Sequence, residues 1–151
     1  MPSHRIERIL CAVDFSPTSD RAAVYAVGLA STLGASVRFQ HVWEMPALYP
    51  LPEGALMFSA DVIGAIEQES KKRMEACVGQ HQSAGVAVDG RVVEGFAPEQ
   101  IVKAANELDA DLVVIGTHGR RGLAHALLGS VAERVVRTSL VPVLTVPPDR
   151  S

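Results

Sequence analysis

A three-layer α/β fold follows from two features of this sequence. Five short apolar runs alternate with helical patterns, and the fourth run carries no polar residue from Leu112 through Gly116. A strand without alternation is buried on both faces, as in a parallel sheet covered by helices. The order βαβαβαβαβ therefore predicts a parallel sheet between two helical layers, joined by right-handed crossovers. At 151 residues the chain reads as a single domain, 1–151, large enough to bury a core without disulfides.

The first run, Arg8 to Val13, ends at Asp14. Ser16 and Pro17 then read as N-cap and first residue of a helix, with Ala22, Ala26, Leu29, Ala30 and Leu33 inward and Gly34 as its stop. Ser36 to Trp43 is the second run. A second helix starts at a Ser59 or Asp61 cap and runs to about Ala84, with Ile63, Ile66, Met74, Cys77 and Val78 inward and Gly85 ending it. The third run is Val86 to Val93, and Pro98 opens a helix facing inward through Ile101, Val102, Ala105 and Leu108. After the fourth run, Asp111 to Gly116, Ser130 opens the last helix before the fifth run, Val141 to Val146. Between the second run and the second helix, Glu44 to Phe58 carries Pro46, Pro50 and Pro52 and reads as a loop packed by its own apolar residues or as a flap.

Hydrophobic residues make up 48% of the chain, which argues against disorder. The net charge of −3 lacks the basic footprint of a nucleic-acid binder. Cys11 and Cys77 form no Cys-x-x-Cys pair and read as free thiols of a reducing cytosol. With no apolar leader and no uncharged run of membrane-span length, the expectation is a cytoplasmic protein with neither membrane nor nucleic acid as partner.

The chemistry concentrates at strand ends, where open parallel sheets bind ligands. Gly116, Thr117, His118, Gly119 and Arg120 close the fourth run; Gly129, Ser130 and Val131 start a helix. Glycines lack side chains that would block a ligand, and N–H groups at a helix start bind anions, phosphate above all. Ser130 and Glu133 have the spacing of a capping box that would aim the Val131 and Ala132 amides outward. Ala12, Val13, Asp14 and Ser16 at the end of strand one, and Val42 at the end of strand two, complete the candidate binding set. Asp14 can hold a ribose hydroxyl or a magnesium ion bridging phosphates. Arg120 can pair with phosphate. His118 lies within the glycine turn, but one histidine does not define a general base. The Walker lysine pattern, Gly-x-Gly-x-x-Gly after strand one, Gly-x-Ser-x-Gly and zinc-ligand spacing are all missing.

From Ile9-Leu-Cys-Ala-Val-Asp14-Phe-Ser16 to Val141-Pro-Val-Leu-Thr-Val146 the sequence resembles the universal stress protein family. The most specific element is Gly-x-x-Gly-x9-Gly-Ser/Thr, met by Gly116, Gly119, Gly129 and Ser130. The resemblance implies a five-stranded parallel sheet of order 3-2-1-4-5. It also implies ATP as ligand. Gly116, Gly119, Arg120, Gly129, Ser130 and Val131 would then line the phosphate side, Asp14 would sit by the adenosine, and Val42 would offer backbone contacts to adenine. The family often has proline where this chain has Ala12. The resemblance further implies a homodimer through the last strand. On physical grounds Pro142 disfavours a central position, and an apolar edge invites pairing with a second copy. The tail Pro147 to Ser151 is short for covering that edge.

The leading functional expectation is a regulatory, stress-response ATP binder, probed by nucleotide that co-purifies with the protein. A slow ATP hydrolase or phosphotransfer enzyme, and a ligand-free dimeric interaction module, are the alternatives. Multiple-turnover assays and ATP-dependent melting separate them.

Overall fold

The computed structural model describes residues 4–45, 60–118 and 128–150. Among these, the strands are β1 (Arg8–Ala12), β2 (Ser36–Trp43), β3 (Val88–Glu94), β4 (Leu112–Gly116) and β5 (Val143–Val146). They form one parallel sheet, as the sequence pattern predicts, in the order β3-β2-β1-β4-β5 that the family resemblance implies. The helices are α1 (Pro17–Leu33), α2 (Ala60–Gln80), α3 (Ala97–Glu107) and α4 (Ser130–Thr138).

Side-chain alternation along the strands divides the core in two. Ile9, Cys11, Val37, Phe39, Val114 and Val146 face α1 and α2; Leu10, Ala12, Val113 and Ile115 face α3 and α4. Both faces are covered, which explains the unbroken apolar run of β4. The small residues Ala22, Ala23, Ala26 and Ala30 let α1 lie close over the sheet centre.

Several boundaries differ from expectation. β1 ends at Ala12, β4 starts at Leu112, and β3 covers Val88–Glu94 rather than Val86 to Val93. Val86 instead bridges to Ser83 in the turn after α2, which stops at Gln80, short of Ala84. Asp61 lies within the first turn of α2, so it is not the cap; Ser59 falls outside the described residues. The inward stripe of α1 takes Ala23 and Val27, while Leu33 is exposed. β5 begins at Val143, since Pro142 has no N–H for the ladder; its carbonyl still accepts from the Val113 amide at 2.9 Å. Of the proline-rich segment, only Glu44 and Met45 are described.

The start of β1 is clamped to β4 by one carboxylate. Asp111 accepts from the Glu7 and Arg8 amides, both at 2.9 Å, and these bonds hold its carboxyl below the ordinary aspartate range. At its other end β1 turns sharply. Phe15 has φ 62°, a left-handed conformation costly for a non-glycine residue. Its ring packs 4.4 Å from that of His41, whose Nδ1 lies 2.9 Å from the Val13 carbonyl as its donor, and Arg73 covers it at 5.0 Å. These contacts hold the corner that presents Asp14.

Candidate functional site

β1 and β4 are neighbours, but α1 leaves β1 to one face and α4 follows β4 on the other. The divergence opens a cleft of about 250 Å³ at the strands' carboxyl ends. Its lining includes Ala12, Val13 and Asp14 from β1's end, Gln40 and Val42 of β2, and Gly116 and Thr117 from β4's end. Ala97 and Ile101 of α3 form one side, and Gly129 with Ser130, Val131 and Ala132 of α4 another.

The start of α4 carries amides of the kind that bind anions. Its earliest helical bond runs from the Glu133 amide to the Gly129 carbonyl at 2.9 Å. The amides of Ser130, Val131 and Ala132 therefore precede the helical ladder and lie at the positive end of the helix dipole. The expected capping box does not form: Gly129 is the N-cap and Ser130 the first helical residue, without a side-chain cap bond. Glu133 pairs with Arg137 instead, one turn further along. The reason lies at Gly129, whose amide donates to the Thr117 carbonyl and pins the helix start one residue before the serine.

The two described motif glycines are required by close approach rather than unusual backbone angles. A Cβ on Gly129 would stand 2.8 Å from the Thr117 carbonyl oxygen. On Gly116 it would stand 2.9 Å from the Thr18 methyl and 3.2 Å from the Thr18 carbonyl oxygen. Thus β4's end lies flush against α1 on one face and α4 on the other.

By contrast, α1 closes its own N-terminus. The Ser19 amide donates to Ser16 Oγ at 3.2 Å, and the Ser16 amide donates to Asp14 Oδ1 at 3.0 Å. Ser19 Oγ accepts from the Asp14 amide at 3.2 Å. Ser16 is buried in this cap and lines a different depression beside Arg73 and Cys77. Its inclusion among the cleft residues is therefore corrected; Ser19 reaches the cleft instead.

Strand alternation places the backbone of Val42. In β2 the Ser36 amide bonds Glu7 and the Gln40 carbonyl accepts from Val13, both at 2.9 Å and both toward β1. Val37 and Trp43 bond the β3 side. Val42 has the parity of Gln40, so its N–H and C=O point toward β1's side, beyond the point where β1 has turned away. A donor and an acceptor thus face the cleft together.

Nine residues expected from sequence converge here: Ala12, Val13, Asp14, Val42, Gly116, Thr117, Gly129, Ser130 and Val131. Gly119 and Arg120 fall outside the described residues. His118 lines the cleft beside Thr117, its Nδ1 2.9 Å from Thr117 Oγ1. Sequence reading missed Ser19, Gln40, Ala97, Ile101 and Ile115, whereas the Ala132 amide was anticipated beside that of Val131. Shared parity with Val42 was the available signal for Gln40. Neither cysteine is a ready nucleophile: burial pushes the Cys77 thiol up to about 11 and Cys11 higher still.

The universal stress protein family model matches residues 5–147. The chain belongs to the universal stress protein family. This family member is 33% identical over 141 residues to universal stress protein MJ0531 of Methanocaldococcus jannaschii, covering 93% of this chain and 81% of that protein. The solved structure of MJ0577, from the same organism, superposes with a TM-score of 0.83 at 29% identity, covering 97% of this chain and 99% of that one. A universal stress protein solved in complex with cAMP gives a TM-score of 0.60 at 28% identity, with 93% and 97% covered. Among the described residues, no helix is long and apolar enough to cross a membrane.

Proposed function

We propose that this universal stress protein binds an adenine nucleotide, ATP, in the cleft between β1 and β4 and acts as a regulatory stress-response protein in the cytoplasm. The observation that carries the reading is convergence. The amides at the start of α4, the carboxylate of Asp14 and the outward backbone of Val42 line one cleft. Phosphates meet the α4 amides and dipole, ribose meets Asp14, and adenine meets Val42 against Ala97 and Ile101. The family relative in complex with cAMP supports the same ligand class. Asp14 is the carboxylate of the described lining. That suits magnesium, which keeps waters and takes phosphate oxygens alongside one or two carboxylates. Arg120 is assigned to the phosphates as well.

The test is thermal. ATP at 100 times its Kd adds about 2.7 kcal/mol of stability, which for a domain of this size raises Tm by roughly 5–10 °C. Asp14→Ala is expected to weaken ATP binding about tenfold by calorimetry, with the unliganded fold retained. No Tm shift in the wild type, and no nucleotide in the purified protein, would refute the reading.

We also propose a homodimer through β5. This strand is the sheet edge, and Leu140 beside it is 87% exposed with Val136 nearby on α4 also exposed. A second copy of the strand satisfies the open ladder and covers these side chains. Sedimentation equilibrium is expected to give twice the chain mass, falling to one chain mass for Leu140→Glu. A monomeric wild type contradicts the dimer.

A further inference from the structure

Gln40 is a polar side chain in a place that packing alone does not explain. It sits mid-strand in β2, only 3% exposed, on the sheet face that otherwise carries Ala12, Ile115 and Val113. Its register partner is Ala12 on one side and Arg91 on the other. A buried carboxamide brings two donors and an acceptor and is costly without partners. Among the described residues its carboxamide has no hydrogen-bond partner, yet no buried side-chain nitrogen or oxygen is left both sealed and unbonded. The two facts agree only if the carboxamide opens onto the cleft whose floor Gln40 forms.

Its place within the cleft identifies what it would meet. Gln40 lies two residues from Val42 on the same face, about 6.6 Å along the strand. The helix start of α4 stands across the cleft, beyond β4 in the sheet order from β2. Gln40 and Val42 thus form the end of the cleft remote from the phosphate-binding amides, opposite the apolar side chains of Ala97 and Ile101.

We propose that Gln40 is a specificity-determining residue that reads the edge of the purine base. The inference rests on the nucleotide-binding reading above and names the side chain that selects adenine. Adenine presents an exocyclic amino donor beside a ring-nitrogen acceptor. A carboxamide matches that pair with its oxygen and its NH₂, the bidentate pattern by which glutamine reads adenine. Against the corresponding edge of guanine it meets two acceptors, and its own oxygen is left facing one of them. A site built around a hydrogen bond rejects the analogue that lacks it more strongly than an apolar pocket could, since its buried polar group is then unpaired.

The experiment compares ATP with inosine triphosphate, which replaces the amino donor by a carbonyl, on wild type, Gln40→Met and Gln40→Glu. Methionine keeps the length and volume of the side chain without its hydrogen bonds; glutamate keeps the shape and the acceptor but removes the donors. Calorimetry is expected to show wild type preferring ATP over inosine triphosphate by about ten- to fiftyfold. Gln40→Met is expected to reduce that preference to threefold or less, by weakening ATP more than inosine triphosphate. Gln40→Glu is expected to retain part of it. Tm without ligand checks that each variant folds, and Gln40→Leu replaces any that does not. A wild type that binds ATP, with a preference unchanged in Gln40→Met, overturns the role of Gln40 and leaves the nucleotide reading intact. A wild type that binds neither nucleotide overturns both.

Discussion

Gly129→Val is expected to lower ATP affinity by about 100-fold or more while the domain still folds. A Cβ at this position already meets the Thr117 carbonyl oxygen at 2.8 Å, and the branched carbons of valine extend the conflict. The obstacle is backbone, so no rotamer change relieves it. Either the start of α4 or the end of β4 must move. Both carry proposed ligand contacts: the Ser130 and Val131 amides on one side, Gly116 and Thr117 on the other. A displacement of an ångström removes charge-assisted hydrogen bonds to phosphate, each worth about 1.5–3 kcal/mol. The stability cost is smaller, about 1–3 kcal/mol, since α4 is anchored further along by buried Ala132 and Val135. Calorimetric titration beside thermal melting separates the two effects. Full ATP affinity in a folded Gly129→Val would show that the α4 amides are not used.

Gly116→Ala is expected to act chiefly on stability, by about 2 kcal/mol and so roughly 4–8 °C in Tm. The added carbon would stand 2.9 Å from the methyl of Thr18, which is itself buried. Thr18→Ser removes that methyl and leaves the backbone contacts to the Thr18 carbonyl oxygen at 3.2 Å and carbon at 3.3 Å. The double variant is therefore expected to recover about half of the loss, a coupling that a double-mutant cycle measures. Strictly additive losses would place the conflict elsewhere. The pair of glycines thus divides its work: Gly116 seats β4 against α1, and Gly129 seats α4 against β4.

How far the sequence foretold this arrangement depends on the kind of signal. The layer structure was legible because burial on both faces leaves an unbroken apolar run, as in Leu112 to Gly116, whereas the strand order came from the family resemblance. Ser16, Pro17 and Gly34 announced the ends of α1 because each answers a local backbone need. Ser130 does open α4, but its role as the cap was misread for the opposite reason. Ser130 and Glu133 have the spacing of a capping box, but a tertiary bond from Gly129 to Thr117 decides where the helix begins. Ser16 was read both as the cap of α1 and as part of the binding set at the end of strand one; only the cap is seen, after the left-handed turn at Phe15. Gln40 went unnoticed because one polar residue in a strand carries no local meaning. Its significance comes from the register that sets it beside Ala12 beneath the diverging helices. Ile101 read as ordinary core and Ala97 carried no signal, and only the packing of α3 over the sheet shows that both bound the cleft.

Both the glycine variants and the base preference depend on where a nucleotide's phosphates come to rest. A crystal structure of the protein grown with ATP and magnesium measures this directly. Phosphate oxygens are expected within about 2.7–3.2 Å of the Ser130 and Val131 amides, with the base against Val42 and Gln40. Density for ATP at another surface, with the β1–β4 cleft left to solvent, would contradict the account.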